Sequence, residues 1–265
     1  MTTAPSHTAR AQSFNAAAAQ YAANRPSYPP ALFDAIEDLA GRSLTGARVA
    51  DVGAGTGIAT ALLHARGAHV IAVEPGDGMA AQFRRGHPDI PIVRGNGNAL
   101  PLADASVDFL TYAQAWHWTD PSLATPEALR VLRPGGALAL WWNISPLDVP
   151  WIAAQGERIE ANFRDVGAVP TVEANGSGSR AALADPTRSL DFTERLVRWS
   201  RRVPVDTHLA NIGSHSMFLV AGEERATAFL TEERRHLLAV FPDGIVEETY
   251  DVELLVATRP PAVNA

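Results

Sequence analysis

From Arg48 onward the sequence alternates, and the alternation admits few folds. Apolar runs of strand length, RVADV (48–52), HVIAVE (69–74), IPIVRG (90–95), SVDFLTY (106–112) and ALALWWN (137–143), are separated by helical stretches over 59–67, 77–86 and 122–132. The first two helical stretches stop at glycine, and the third is followed by RPGG, which reads as a turn. Strands that are apolar throughout, joined through helices by short links, imply βαβ units and a parallel sheet covered on both faces.

The flanks are looser. Residues 11–24 are rich in Ala and Gln and predict a helix, which the prolines of RPSYPP (25–30) break. PALFDAIEDLA (30–40) predicts a second helix, with Leu32, Ile36 and Leu39 on one face. After Asn143 we expect a helix over 151–163, a Gly/Ser/Asn-rich loop over 170–189 and a strand over 192–205. Helices are expected over 206–218 and 221–240, then a last strand over 245–259 after a Pro-Asp-Gly turn.

Composition excludes several functions. A net charge of −7 on 265 residues argues against a nucleic-acid footprint, which needs a basic patch. The chain has no lysine, so no Schiff base or lysine general base is available. It has no cysteine, which removes disulfides, thiol nucleophiles and zinc–thiolate sites. No His/Asp/Glu cluster has metal-ligand spacing, so a metal-free reaction is expected. MTTAPSHTARAQSF lacks the apolar centre of a signal peptide, and runs such as ALALWW (137–142) are far too short to span a membrane. A soluble, cytoplasmic protein without a membrane partner is the expectation.

The first strand runs into RVADVGAGTGIAT (48–60), a glycine turn opening into a helix. Such a turn puts backbone amides and a helix N-terminus at the carboxyl edge of the sheet. Gly53, Gly55 and Gly57 make GxGxG, with Ile58 where the dinucleotide fingerprint wants glycine. Glu74 ends the second strand, about twenty residues on, where an acid reaches ribose hydroxyls. The third strand ends in GNGN (95–98), a second polar loop at the same edge. Together these strand ends suit an amino-acid tail, a ribose and a purine, with no phosphate among them.

VADVGAGTG, AVEP, RGNGNALPLADASVDFLTYAQAWHW and LRPGG resemble, in order and spacing, the class I S-adenosylmethionine-dependent methyltransferases. The likeness is to their small-molecule branch, the trans-aconitate-type and type 11 enzymes, and covers residues 48–143. It implies an α/β, Rossmann-like, doubly wound sheet of seven strands with an antiparallel last strand. The expected organisation is one domain over 1–265: a helical cap (1–45), a cofactor-binding core (46–143), an insertion or lid (144–190) and the C-terminal part of the sheet (191–265).

The resemblance also implies roles. Asp51 and the loop Gly53, Ala54, Gly55 and Gly57 lie against the methionine tail of the donor, with Asp51 toward its ammonium. Glu74, followed by Pro75, accepts from the ribose hydroxyls. Asn96, where the family usually has Asp, faces the adenine amino group, with Gly97 and Asn98 beside it. Gln114 lies near the sulfonium. Tyr21 and Arg25 belong to a lid segment over the cofactor and are expected to contact it, and Arg25 either attracts an acidic substrate or is a surface arginine.

At the acceptor end AQAWHWTD (113–120) comes after the fourth strand. His117 either takes a proton or orients an anion, or else bonds a backbone carbonyl. Trp116 and Trp118 are pocket walls or core, and Asn143 and His215 are further substrate candidates. Ser214-His215-Ser216 is no hydrolase site, since no GxSxG elbow accompanies it. Methyl transfer to a small-molecule acceptor, at oxygen rather than nitrogen or carbon, is the expected activity, in a monomer or homodimer. A non-catalytic binder of the same cofactor and a nicotinamide-dependent oxidoreductase are the alternatives.

Overall fold

The computed structural model describes residues 25–166 and 190–261. The helix expected over 11–24, the loop expected over 170–189 and Tyr21 lie outside them.

The described residues fall into two compact units. One gathers residues 27–143, 190–197 and 252–261, and the other 25–26, 144–166 and 198–251. The first opens with α1 (Pro30–Ala40), which begins on a proline at its first turn and ends at Gly41, whose φ is 60°. Leu32, Phe33, Ala35 and Ile36 are its buried face, and Phe33 and Tyr28 meet Trp141 edge-on. Then come β1 (Arg48–Val52), α2 (Ile58–Ala65), β2 (His69–Glu74), α3 (Asp77–Gly86), β3 (Ile92–Arg94), β4 (Val107–Ala113), α4 (Pro121–Val131) and β5 (Leu132–Ile144). β1 pairs in parallel with β2 and β4, β2 with β3, and β4 with β5. The seven strands lie in the order β3-β2-β1-β4-β5-β7-β6, with β6 at Thr193–Pro204 and β7 at Ile245–Thr258.

RPGG is not a turn before the fifth strand but a bulge inside it. Val107 pairs with Leu132 and Phe109 with Ala137, so the four residues 133–136 stand opposite Asp108 alone. Gly136 is required there, because a Cβ would stand 2.9 Å from the Asp108 and Arg133 carbonyl oxygens. The bulge is fastened to the end of β7 by Gly135 N–H to Arg259 O (3.0 Å) and Arg259 N–H to Gly136 O (2.8 Å). That reciprocal exchange is antiparallel, as the last strand was expected to be.

In the second unit α5 (Pro150–Phe163), α6 (Val205–Gly213), α7 (Ser216–Ala221) and α8 (Glu223–Val240) accompany parts of β6 and β7. Arg198 meets Asp251, Trp199 stacks on Tyr250 and Arg201 meets Glu248, so β6 runs antiparallel to β7. The helix expected over 206–218 is broken at Ser214–His215. Gly213 is a weak helix former, and the Ser214 hydroxyl donates to the Asn211 carbonyl (2.6 Å), drawing it from the helical ladder.

Besides the apolar cluster of Val205, Leu209, Ile212, Leu237 and Val246, this unit holds a set of buried polar groups. His208 meets Glu248 at 2.7 Å and Gln155 at 3.0 Å, while Gln155 and Arg158 donate to Glu233 at 3.0 and 2.6 Å. Two carboxylates at 1% exposure are tolerable only because guanidinium, imidazole and amide groups answer every oxygen. Among the described residues no helix is long and apolar enough to cross a membrane.

Candidate active site

β1, β4 and β5 end side by side, with Asp51 opposite Thr111 and Ala113 opposite Trp141, so the loops that leave these strands share one edge. After β1 the chain turns back through Gly53, Gly55 and Gly57, with φ of 69°, 59° and 97°. L side chains rarely adopt those angles. Gly53 and Ala54 donate N–H to the Val73 carbonyl (2.8 and 3.2 Å), tying the loop to β2. At Gly57 a Cβ would lie 2.5 Å from the His87 ring.

Glu74 stands at the end of β2 with 6% exposure. Its Oε2 accepts from Gly55 N–H (2.9 Å) and its Oε1 from Gly76 N–H (2.6 Å). Each oxygen keeps a further lone pair. Burial raises its pKa above the usual value, while the Gly76 and Gly55 amides and Arg94 work in the opposite direction. Pro75 is exposed, and its carbonyl accepts from the Arg94 guanidinium.

Asp51 is fully buried and accepts from Thr60 (2.5 Å) and Thr111 (2.9 Å). Its side chain is turned inward, held by the two threonine hydroxyls. Burial pushes its carboxyl up to about 6; the two threonine hydroxyls oppose this and Glu74 adds to it. The folded state thus holds the proton more tightly than the unfolded chain. Ionisation costs stability progressively between about pH 4 and pH 6, with the full cost above that. Asp51→Asn is expected to stabilise the ligand-free protein by roughly 1–3 kcal/mol at about pH 8 and by nothing near pH 4. Urea unfolding at the two pH values checks this; a gain that is the same at both would show that the carboxyl is not perturbed.

Thr56, not among the residues singled out from sequence, joins the loop. It is 6% exposed, and its hydroxyl has no partner among the described residues. A hydroxyl in the middle of GAGTG was the available signal.

After β3, Asn96 is exposed and its Oδ1 accepts from Asn98 N–H (2.9 Å), closing a local turn. Gly97 is pressed against Tyr112 and Thr119, where a Cβ would come within 2.7 Å. Asn98 Oδ1 accepts from Asp120 N–H (2.9 Å), which makes it a strut between loops.

After β4, Gln114 has φ 57° and donates its N–H to the Trp141 carbonyl (2.8 Å). A non-glycine residue held in that region marks a constrained turn. Trp116 is 1% exposed and packs edge-on against Tyr112, so it is a core residue and not a wall open to an acceptor. Trp118 is 37% exposed and leans on His117, with ring centroids 4.8 Å apart. His117 Nδ1 accepts from Trp142 Nε1–H at 3.1 Å, a bond to a side chain where a backbone carbonyl was one expectation. Asn143 comes next after Trp142, at half burial.

Arg25 and His215 lie in the other unit. The Arg25 carbonyl accepts from Arg201 (3.5 Å), and burial, then the Arg25 cation, then His208 hold His215 well below its ordinary pKa.

A family model described as a methyltransferase domain matches residues 50–140. An uncharacterized methyltransferase from Mycobacterium bovis is 34% identical over 230 residues, covering 87% of each chain. A demethylmenaquinone methyltransferase from Beutenbergia cavernae is 38% identical over 112 residues, 42% of this chain and 47% of that one. A solved structure provisionally assigned as a type II methyltransferase, from Anaeromyxobacter dehalogenans, superposes with a TM-score of 0.69 at 26% identity, covering 89% of this chain and 99% of that one. Identity sustained along most of both chains, on a sheet whose glycine loop and acid meet at one edge, shows that the chain belongs to the class I S-adenosylmethionine-dependent methyltransferases.

Proposed function

We propose that the protein transfers a methyl group from S-adenosylmethionine to an oxygen of a small-molecule acceptor, and that the edge between Gly53 and Gln114 holds the donor. The observation that carries the donor assignment is Glu74. Both its oxygens are fixed by backbone amides of flanking loops, with lone pairs left for a ribose diol. Thr56 supplies a buried hydroxyl without a partner among the described residues. Asp51 contributes charge rather than contact: two buried carboxylates under the loop favour a ligand carrying ammonium and sulfonium charges. Asn96 and Gly97 form the rim for the adenine, and Gln114 turns the chain at the sulfonium end.

When bound, the donor supplies an electrophilic methyl group for in-line displacement. The chain's own task is alignment and exclusion of water, for which well-oriented reactants gain on the order of 7–11 kcal/mol. We place the acceptor at His117, Trp118 and Asn143. The narrower likeness to trans-aconitate-type enzymes, and with it the choice of oxygen, is carried by the motifs.

Calorimetric titration tests the donor assignment. S-adenosylhomocysteine is expected to bind, with no heat from NAD or NADP; the reverse pattern overturns it.

A further inference from the structure

The bond from Trp142 Nε1 to His117 Nδ1 (3.1 Å) fixes more than a ring orientation. An indole N–H only donates, so Nδ1 must be the bare nitrogen, and the proton of the neutral ring sits on Nε2. A general base needs a bare nitrogen, and the one that His117 has is engaged by Trp142. Trp142 is 5% exposed, and its neighbour Trp141 is paired with Ala113 in the sheet, so the indole is not free to swing away. Among the described residues, the two buried carboxylates of this edge each already accept two hydrogen bonds. Asp51 takes two threonine hydroxyls, and Glu74 takes two amides. Lysine and cysteine are absent from the chain.

We propose that the methyl acceptor arrives already ionised at neutral pH, as a carboxylate or an acidic phenolate, and that Trp142 holds His117 as a hydrogen-bond donor to that anion through Nε2–H. This rests on the proposed methyl transfer to oxygen. Trp142 is then a positioning residue, acting through His117. An oxygen lone pair of the acceptor forms the new O–CH3 bond while the S–CH3 bond breaks, its electrons staying on sulfur. An anion and a cation become two neutral molecules, and no proton is released, so no base is required. A donor to the anion stabilises the bound acceptor more than the charge-dispersed transition state, and its loss therefore appears in KM before kcat.

The proton position is read directly, whether or not an acceptor has been found. Full-length protein labelled with 15N-histidine and loaded with S-adenosylhomocysteine is studied by long-range 1H–15N spectra, with His117→Gln identifying the resonance. The neutral Nε2–H form is expected, and Trp142→Phe should turn it into a mixture; an Nδ1–H ring or an imidazolium at neutral pH in the unsubstituted protein overturns the proposal. Failure of S-adenosylhomocysteine to bind would count against the donor site instead, since the same spectrum is recorded without it.

The second arm uses labelled methyl donor and a panel of small carboxylic acids, phenols graded in acidity, aliphatic alcohols and amines. Uptake by the acids and acidic phenols is expected, and uptake confined to alcohols or amines overturns it. With a responsive acid, His117→Ala should raise KM by about 10-fold or more, the worth of one charge-assisted hydrogen bond. His117→Gln, which keeps a donor but cannot act as a base, should restore most of that, with affinity for S-adenosylhomocysteine unchanged in both variants. A base would instead show a loss in kcat of about 100-fold or more in the alanine and the glutamine variant alike.

Discussion

Replacing Glu74 with alanine lowers the affinity for S-adenosylhomocysteine by about 100-fold or more. Two hydrogen bonds from ribose hydroxyls to a charged acceptor are each worth about 1.5–3 kcal/mol, and a factor of ten is about 1.4 kcal/mol. The loss is compounded because the carboxylate also binds the Gly55 and Gly76 amides, so its removal unties the glycine loop from the loop after β2. Glu74→Gln is no rescue. Its amide nitrogen would face one of those backbone donors, and one of the two anchoring bonds would be lost whichever way the amide turned. Calorimetry with all three proteins decides the matter, and equal affinity in the alanine variant would remove the ribose from Glu74.

Gly53→Ala is expected to destabilise the protein by about 2–6 kcal/mol, combining the strain of a left-handed alanine with an overpacked contact. The added methyl would stand 2.6 Å from the Ala115 Cβ, and an alanine has no rotamer with which to yield. Relief requires movement of β1's end or of the segment before Trp116. Ala115→Gly in the same chain should therefore recover part of the loss, leaving the strain of the backbone angle. Chemical denaturation of the two single variants and the pair measures the coupling, and strict additivity would show that the two sites do not touch.

The parallel half of the fold was legible because local and global signals agree there. β1, β2, α1 and α3 fall on the residues expected of them, each bounded by a glycine, a proline or a charge. β3 is shorter than expected, at Ile92–Arg94, since Pro91 and Gly95 flank it. The bulge in β5 was hidden because Arg133-Pro134-Gly135-Gly136 has the composition of a free turn, and only pairing with Asp108 and Arg259 keeps it within a strand. The glycine loop and Glu74 could be found from spacing alone. What could not be found is whatever depends on how side chains turn and pack: the threonines holding Asp51, the indole holding His117, and the burial of Trp116 against Tyr112. Trp116 and Trp118 look equivalent in sequence, yet a short 3-10 turn sends one inward and the other out.

Much of the proposed donor site is shaped by main chain: the N–H groups of Gly53, Ala54 and Gly55 tie the loop to β2 and to Glu74, and the three glycines supply its bends. Main-chain donors are the same in every protein, so mutation elsewhere in the loop leaves them in place. Lineages of this kind can drift far apart in sequence and still recognise one nucleoside, provided the bends and the single acid are inherited. Such drift is then free to explore new acceptors without relearning how to hold the donor.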